Sequence, residues 1–244
     1  SGLQAHAAIR FLISKCFFRN TRSYALRCGL WTIELFCSQT YFRNDKSNND
    51  VPYPRVGIHL ESKATDNHFT DCLLQNHLIS VESYASANTY KSIHSYGTDY
   101  RTYGENCWAF AIKGNTTNNR LNDCQLDNGS RILLENLARS QIRGTSFATL
   151  EGDPVNAIVL KAVTNGHFCR GLIIEGNAFD LPSGSDAIVI APDSLSFSAV
   201  EFKNNFIGNN VGGVGVNIRS TRFTIDRTLA KSNIANIDTS GKYL

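Results

Sequence analysis

Two stretches of the sequence decide the fold: Asn67-His-Phe-Thr-Asp-Cys-Leu-Leu-Gln-Asn76 and Asn119-Arg-Leu-Asn-Asp-Cys-Gln-Leu-Asp-Asn128 are nearly the same phrase. Each places an apolar residue, a cysteine and a second apolar residue at the same offsets between flanking asparagines. Such self-similarity is the signature of a repeat protein, in which each copy builds one structural unit. Weaker copies surround these two, and most of the chain aligns on them.

The alignment produces two anchor columns five positions apart. Its pairs are Ile13 with Phe18, Cys37 with Phe42, Phe69 with Leu74, Leu121 with Leu126, Ile142 with Phe147, Ile174 with Phe179, and Phe202 with Ile207, with a degraded copy near Tyr90 and Ser95. Between them runs a column of mostly small residues: Cys16, Thr40, Cys72, Ile93, Cys124, Thr145, Asn177 and Asn205. Successive members lie 21 to 32 residues apart, which fits solenoid coils with loops of different length.

A further strand follows in each coil and alternates between inward apolar and outward residues. The matches are Ile58-His-Leu60-Glu, Ile79-Ser-Val81-Glu, Phe110-Ala-Ile112-Lys, Ile132-Leu-Leu134-Glu, Ile158-Val-Leu160-Lys, Ile188-Val-Ile190-Ala and Val216-Asn-Ile218-Arg. A period of two predicts a strand, and its recurrence predicts a parallel sheet with strands about 4.8 Å apart. A doubly wound α/β fold requires a helix between its parallel strands, and the sequence shows no helical run there. The sequence therefore predicts an all-β, single-stranded right-handed parallel β-helix, a solenoid of about eight coils.

The predicted β-helix spans residues 1–220. Residues 1–12 and 221–244 fit the repeat poorly, so we expect end coils or caps there, with 221–244 as a C-terminal cap or the start of a following domain. The chain contains no methionine, which leads us to expect a piece of a longer protein.

Composition excludes several classes of function. The formal net charge is only +3 and the basic residues are scattered, so we expect no nucleic-acid partner. No apolar run approaches the roughly 20 residues that cross a bilayer, so we expect no membrane insertion. The seven cysteines form neither CxxC nor another metal or redox motif, so we expect most of them to be buried thiols, with no metal and no cofactor.

One predicted outward column of the alternating strands is largely apolar. It reads His59, Ser80, Ala111, Leu133, Val159, Val189 and Asn217. An outward apolar stripe is usually covered, either by another copy of the chain or by a long loop. We expect another copy, in a homotrimer around a threefold axis, with loop cover as the alternative.

The other predicted outward column is charged. It reads Glu61, Glu82, Lys113, Glu135, Lys161, Ala191 and Arg219. Stacked neighbours lie about 5 Å apart, so we expect Glu61 and Glu82 to raise each other's proton affinity, with His59 beside them. That separation matches the carboxylate pair of a retaining glycosidase. The alternative is a solvated charge ladder.

The segment between the fourth and fifth coils combines aromatic and charged residues: Tyr96, Asp99, Tyr100, Arg101, Tyr103, Glu105 and Trp108. A carbohydrate groove needs this mixture, because sugar rings present apolar faces for stacking and hydroxyls for hydrogen bonds. The alternative is a loop that packs its own aromatics on the flank of the solenoid. Trp108 also fits the inward alternation before Phe110, which would make it a core residue.

The Asn-x-Phe-x-x-Cys-x-Leu-x-Asn coils and the strand from Gly57 to Glu61 resemble the pectate-lyase-like β-helix superfamily, and within it the central domain of bacteriophage tailspikes, over about residues 11–220. The resemblance implies a homotrimeric, extracellular part of a virion tail, assembled in the bacterial cytoplasm, that binds and cleaves bacterial surface polysaccharide. The chain lacks the polygalacturonase motifs Asn-Thr-Asp, Gly-Asp-Asp, Gly-His-Gly and Arg-Ile-Lys, and it lacks the aspartate cluster of a calcium-dependent pectate lyase.

Two classes of function remain. The first is a glycoside hydrolase acting on capsular polysaccharide or lipopolysaccharide; its expected catalytic residues are Glu61, Glu82, Asp99 and Glu105, and its expected substrate-binding residues are His59, Tyr96, Tyr100, Arg101, Tyr103 and Trp108. A polysaccharide lyase would instead use His59 or a tyrosine as base, with a cation against the uronate carboxylate. The second class is a non-enzymatic receptor-binding or structural fibre module.

Overall fold

The chain forms three large parallel sheets, and successive strands enter the first, the second and the third sheet in turn. The computed structural model describes residues 2–45, 56–97, 107–127, 130–148, 154–162, 169–191, 196–198, 200–207, 216–218, 224–226 and 229–231, and this described part contains 29 strands and no helix. The first sheet has nine strands: β1 (Leu3–Ala5), β4 (Tyr24–Cys28), β7 (Val56–Leu60), β10 (Ile79–Ser83), β13 (Trp108–Ile112), β16 (Ile132–Glu135), β19 (Asn156–Lys161), β23 (Asp186–Ile190) and β27 (Val216–Ile218).

The second and third sheets take the strands that follow. The second sheet has nine strands: β2 (Leu12–Ser14), β5 (Phe36–Ser38), β8 (His68–Thr70), β11 (Thr89–Lys91), β14 (Arg120–Asn122), β17 (Gln141–Arg143), β21 (Ile173–Glu175), β25 (Glu201–Lys203) and β29 (Leu229–Lys231). The third sheet has eight: β3 (Phe17–Arg19), β6 (Tyr41–Arg43), β9 (Leu73–Gln75), β12 (His94–Tyr96), β15 (Gln125–Asp127), β18 (Ser146–Ala148), β22 (Ala178–Asp180) and β26 (Phe206–Ile207).

A small fourth sheet joins β20 (Cys169–Arg170), β24 (Ser196–Ser198) and β28 (Thr224–Asp226). Each of the first eight returns of the chain adds one strand to each large sheet, which confirms the all-β prediction and is consistent with a parallel β-helix. The strand β29 still pairs with β25, so the ladder continues beyond residue 220. The predicted division of the chain at that residue stays a prediction.

The second and third sheets have the register that the sequence predicts. On the second sheet Cys37 pairs with Ile13 and Phe69, and on the third sheet Phe42 pairs with Phe18 and Leu74. The degraded copy also takes its place, because Tyr90 pairs with Phe69 and Leu121 while Ser95 pairs with Leu74 and Leu126. Aromatic rings stack between neighbouring strands in these columns, with 5.4 Å between the centroids of Phe69 and Tyr90.

The column of small residues lines the core between these two sheets. All of its members are buried except Cys16, which lies in the end coil. The Sγ atoms of Cys37 and Cys72 lie 3.8 Å apart, and none of the seven cysteines forms a disulfide. Burial raises the pKa of the thiols of Cys28, Cys124 and Cys169 to about 12, so these cysteines remain protonated core residues.

The first sheet departs from the predicted register at β10. Val81 pairs with Ile58, and Ser83 pairs with Leu60 and Ile112, so the predicted alignment of Ile79 with Ile58 is wrong by two residues. Ser83 is smaller than the residues above and below it. Tyr90, in the same coil, is larger than most residues of its own column and fully buried. The large side chain of Tyr90 thus compensates for the small side chain of Ser83 in filling the core of this coil.

The register change also alters the apolar outward column. Ser80 belongs to the core, where its Oγ lies 2.8 Å from the Oγ of Ser95, and Glu82 takes the place predicted for Ser80. The apolar members are already buried within a single chain; their exposed fractions are 0% for Ala111, 5% for Leu133, 8% for Val159 and 3% for Val189. A second copy is therefore not needed to remove these side chains from water.

Buried asparagines connect successive coils at the corner before the second sheet. The backbone N–H of Asn67 donates to Oδ1 of Asn88 (3.0 Å), and the N–H of Asn88 donates to Oδ1 of Asn119 (3.2 Å). The Asn119 N–H donates in turn to Oγ of Ser140 (3.1 Å). Each side chain thus satisfies backbone donors that the corner removes from the strand ladder. The asparagines that open the two repeated stretches, Asn67 and Asn119, belong to this ladder.

We expect Asn88→Ala to lower the free energy of unfolding by about 2 kcal/mol, because it leaves the buried N–H and side-chain amide of Asn67 without their acceptor. Urea denaturation followed by circular dichroism measures the change. The matched control is Asn122→Ala on the outer face of β14, for which we expect a change below about 0.5 kcal/mol. Equal effects of the two substitutions would contradict a structural role for the ladder.

Candidate functional site

The outer face of the first sheet carries a cluster of charged and aromatic side chains, here named the polar cluster: Tyr24, Arg27, His59, Glu61, Glu82, Tyr84 and Lys113. The register of β4, β7 and β10 places Arg27 beside His59 and His59 beside Glu82. The other members of the cluster lie at or just beyond the ends of these strands and of β13. Strand stacking therefore brings together residues that are far apart in the sequence.

Glu82 is the centre of the polar cluster. Its carboxylate lies 3.0 Å from Nδ1 of His59 and accepts hydrogen bonds from Nζ of Lys113 (3.0 Å) and the hydroxyl of Tyr84 (3.2 Å). The hydrogen bond with His59, together with the bond and charge of Lys113, outweighs the effect of burial and lowers the pKa of Glu82 to about 2. Glu82 is therefore ionised at all physiological pH values.

Glu61 is held by a different set of groups. It accepts hydrogen bonds from Nε and Nη2 of Arg27 and from the backbone N–H of Leu30 (3.1 Å). Burial by itself would raise the pKa of Glu61, but Arg27 and the Leu30 N–H outweigh it and hold that pKa below its ordinary value. Both carboxylates of the cluster are therefore stabilised as anions.

The predicted stacking of Glu61 on Glu82 is wrong, because of the two-residue register change at β10. Glu82 pairs with His59, and the position after Leu60 on the neighbouring strand is taken by Tyr84, whose N–H donates to the Leu60 carbonyl. The two carboxylates do not raise each other's pKa. A retaining glycosidase needs one carboxyl group that stays protonated, and this pair does not supply it.

His59 is oriented by its neighbours. Its ring lies 4.6 Å from that of Tyr24 and 6.0 Å, edge-on, from that of Tyr84, measured between centroids. Because ionised Glu82 accepts a hydrogen bond from Nδ1–H, the neutral ring carries its unprotonated nitrogen at Nε2. In that tautomer Nε2 is the ring nitrogen that can accept a hydrogen bond, and the cations of Arg27 and Lys113 lie in the same cluster.

The outer face of the third sheet carries a second group of side chains, here named the aromatic row: Tyr41, Gln75, His94, Tyr96 and Asp127. The Tyr41 hydroxyl bonds to Gln75 and lies 3.3 Å from the hydroxyl of Tyr96. Nε2 of His94 lies 2.7 Å from the Asp127 carboxylate, and its ring is 5.1 Å from that of Tyr96. Burial and the contact with Tyr41 raise the pKa of Tyr96 to about 12, so its hydroxyl keeps its proton.

The predicted site residues divide between faces of the molecule. His59, Glu61 and Glu82 belong to the polar cluster, while Tyr96 belongs to the aromatic row. Trp108 is 8% exposed, packs in an apolar cluster with Val56, Ile79, Ala111, Leu133, Val159 and Ala191, and has the Arg131 guanidinium 4.2 Å from its ring centre. Its ring is therefore buried within the chain. Asp99, Tyr100, Arg101, Tyr103 and Glu105 lie outside the described residues.

Sequence reasoning missed four of the five members of the aromatic row as site residues, and four of the seven members of the polar cluster: Tyr24, Arg27, Tyr84 and Lys113. Tyr41 and His94 directly precede the second anchor column, and Gln75, Tyr96 and Asp127 directly follow it. The outward residues on both sides of that column were therefore the available signal. Arg27 gave no such signal, because its strand lacks the apolar alternation on which the alignment was built.

Comparison with known proteins assigns no family: no family model matches the sequence, and no curated protein matches it. Among the residues that the structure describes, no group of three or more His, Cys, Asp or Glu side chains is arranged to hold a metal ion. The same residues include no helix of the length and apolarity that a membrane span requires.

Glu82 should make the stability of the protein depend on pH. Its pKa of about 2 in the folded state lies below the ordinary value of 4.5, so its contribution is fully present above pH 4.5 and is lost as the pH falls toward 2. We expect Glu82→Gln to lower the free energy of unfolding at pH 7 by on the order of 2 kcal/mol, and the deficit to shrink between pH 4.5 and 2.

Urea midpoints measured at several pH values test this expectation. The control is Glu201→Gln on the second sheet, whose carboxylate lies 2.8 Å from Nζ of Lys203 but is more exposed. Exposed ion pairs contribute little, so we expect a small effect there. A deficit for Glu82→Gln that stays constant down to the lowest pH would contradict the assignment.

Proposed function

We propose that this chain is a tailspike-like, right-handed parallel β-helix that binds bacterial surface polysaccharide. The rotation of the chain through three parallel sheets supports the solenoid, and parallel crossovers are right-handed in nearly all proteins. The aromatic row is the observation that carries the binding function. It offers ring faces together with hydroxyl, amide and carboxylate groups along the axis of the sheet.

The chemistry of the aromatic row matches a sugar chain. Pyranose rings present apolar C–H faces that pack on the rings of Tyr41 and Tyr96, while their hydroxyls exchange hydrogen bonds with Gln75 and Asp127. The side chains are held by neighbours on adjacent strands, so binding orders few groups. A row that runs across successive strands suits an extended polymer more than a single small molecule.

Assembly and location are part of the proposal. We propose a homotrimer on the virion tail, outside the cell, after assembly in a bacterial cytoplasm. The absence of any disulfide among the seven cysteines supports assembly in a reducing compartment. The buried outward column of Ala111, Leu133 and Val159 gives no support to the trimer, which rests on the resemblance alone.

A second candidate is cleavage of a glycan bound at the polar cluster, on a different face from the aromatic row, and the pair of His59 and Glu82 favours β-elimination over hydrolysis. A lyase needs a base and a cation near the uronate carboxylate, and the polar cluster holds an oriented imidazole with Lys113 and Arg27. Hydrolysis through Glu61 and Glu82 lacks its acid. A glycoside hydrolase would therefore depend on Asp99 and Glu105, which follow β12 in the sequence and remain predicted catalytic residues.

The binding proposal predicts that Tyr41→Ala and Tyr96→Ala each weaken glycan binding by about tenfold, because each removes one stacking surface. Binding of a panel of capsular polysaccharides and lipopolysaccharides to the purified chain, followed by biolayer interferometry, measures this loss. Trp31→Ala is the control, because it removes a ring that is 53% exposed but lies away from the row. The proposal fails if no glycan binds, or if Trp31→Ala weakens binding as much.

The cleavage proposal predicts an unsaturated, ultraviolet-absorbing product whose formation is abolished by His59→Gln. Glu82→Gln should slow it, because the imidazole loses the group that orients it. His68→Gln, which changes a histidine stacked on Phe36 on the second sheet, is the control and should leave the rate unchanged. Saturated products with new reducing ends would instead indicate hydrolysis. Glycan that stays intact would contradict the cleavage proposal and leave binding as the only proposed function.

A further inference from the structure

Two arginines extend the aromatic row toward the N-terminal end of the third sheet. Arg19 pairs with Arg43, Arg43 with Gln75, and Gln75 with Tyr96, so the four residues form one outward column. Phe17 and Tyr41 stand in the parallel column beside them, with 5.1 Å between their ring centroids. The guanidinium groups and the rings therefore belong to one continuous surface.

The two guanidinium groups share a single carboxylate, that of Asp45. Nε and Nη2 of Arg19 lie 3.0 and 2.8 Å from its Oδ2, so both nitrogens contact one oxygen. Nε of Arg43 lies 3.0 Å from Oδ1, but this contact lacks the geometry of a hydrogen bond. Asn20 fills a further position on Asp45, donating to Oδ2 from Nδ2 (2.9 Å).

The charge at this end of the surface is therefore unbalanced. Arg19 and Arg43 carry two positive charges against the one negative charge of Asp45, among the described residues of this column and its immediate contacts. Both arginines remain substantially exposed, at 59% and 41% of their side-chain surface, whereas Asp45 is 17% exposed. Solvent, and any ligand on the row, thus meets the cations more than the carboxylate.

We propose that Arg19 and Arg43 bind an acidic substituent of the polysaccharide, such as a uronate carboxylate, and so select acidic glycans over neutral ones. A planar guanidinium matches a carboxylate with two parallel hydrogen bonds, which a neutral hydroxymethyl group cannot reproduce. At the opposite end of the row lies the carboxylate of Asp127, which is paired with His94. The two ends of the surface therefore differ in charge, and this difference fixes the direction of the bound chain. This inference rests on the proposed binding function.

The test compares one polymer in two forms. Hexuronate-containing capsular polysaccharides are used either intact or after their carboxyl groups have been reduced to hydroxymethyl groups, which preserves the sugar rings. We expect the intact polymer to bind at least tenfold more tightly than the reduced one. Arg43→Gln and Arg19→Gln should each weaken binding of the intact polymer by about tenfold and leave binding of the reduced polymer unchanged.

Two further variants separate charge from structure. Arg43→Lys keeps the charge but loses the planar fork, so we expect an intermediate loss. Arg143→Gln removes an arginine that pairs with Glu175 (3.2 Å) on the outer face of the second sheet, and we expect no effect on binding. Circular dichroism confirms that each variant is folded.

The outcomes distinguish this inference from the function on which it rests. Equal affinity for intact and reduced polymers, with Tyr41→Ala weakening both, overturns the role of the arginines and keeps the glycan-binding function. Absence of binding to either form overturns both proposals. A loss of affinity in Arg143→Gln equal to that in Arg43→Gln shows a general effect of net charge and also overturns the assignment.

Discussion

The parallel stacking of inward side chains is the constraint on which the rest of this structure depends. Anchor residues such as Phe42, Phe69 and Phe147 lie in register with their equivalents on adjacent strands, and each column of the core fixes the strands that carry it. Because side chains alternate between the two faces of a strand, the same register fixes which residues lie side by side outside. The polar cluster and the aromatic row are both consequences of core packing.

The corners between strands impose a second constraint, which explains the polar residues of the repeat. The backbone turns between the second and third sheets through a residue of positive φ in each coil, as at Asp71, Asp123 and Gly176, with φ of 53°, 53° and 64°. Asparagine, aspartate and glycine adopt this conformation most readily. Buried asparagines satisfy backbone donors at two of the corners, those of Asn67 and Asn88 before the second sheet and that of Asn177 between the second and third sheets.

Electrostatics on the two outer faces differ in character. On the first sheet each carboxylate of the polar cluster has a cation or imidazole as its partner, which lowers the pKa of Glu61 and Glu82 and keeps both carboxylates ionised. On the third sheet Asp45 stands between two exposed arginines at one end of an aromatic row. Among the described residues the charges of the first face balance, whereas Arg19, Arg43 and Asp45 leave a net positive charge on the second.

The sequence by itself determined the all-β class, the parallel columns of the second and third sheets and the burial of every cysteine but Cys16, because apolar spacing within a repeat is a local property on which packing depends. Only the tertiary structure decided the register of β10. Ile79 and Val81 satisfy the alternating pattern in either of two alignments, and the choice depends on how Ser83 and Tyr90 share core volume with neighbouring coils. That two-residue difference separated Glu82 from Glu61 and placed it on His59. The partners of Arg19, Arg43 and Tyr41 were likewise decided between strands, since contacts across coils join residues that no local pattern relates.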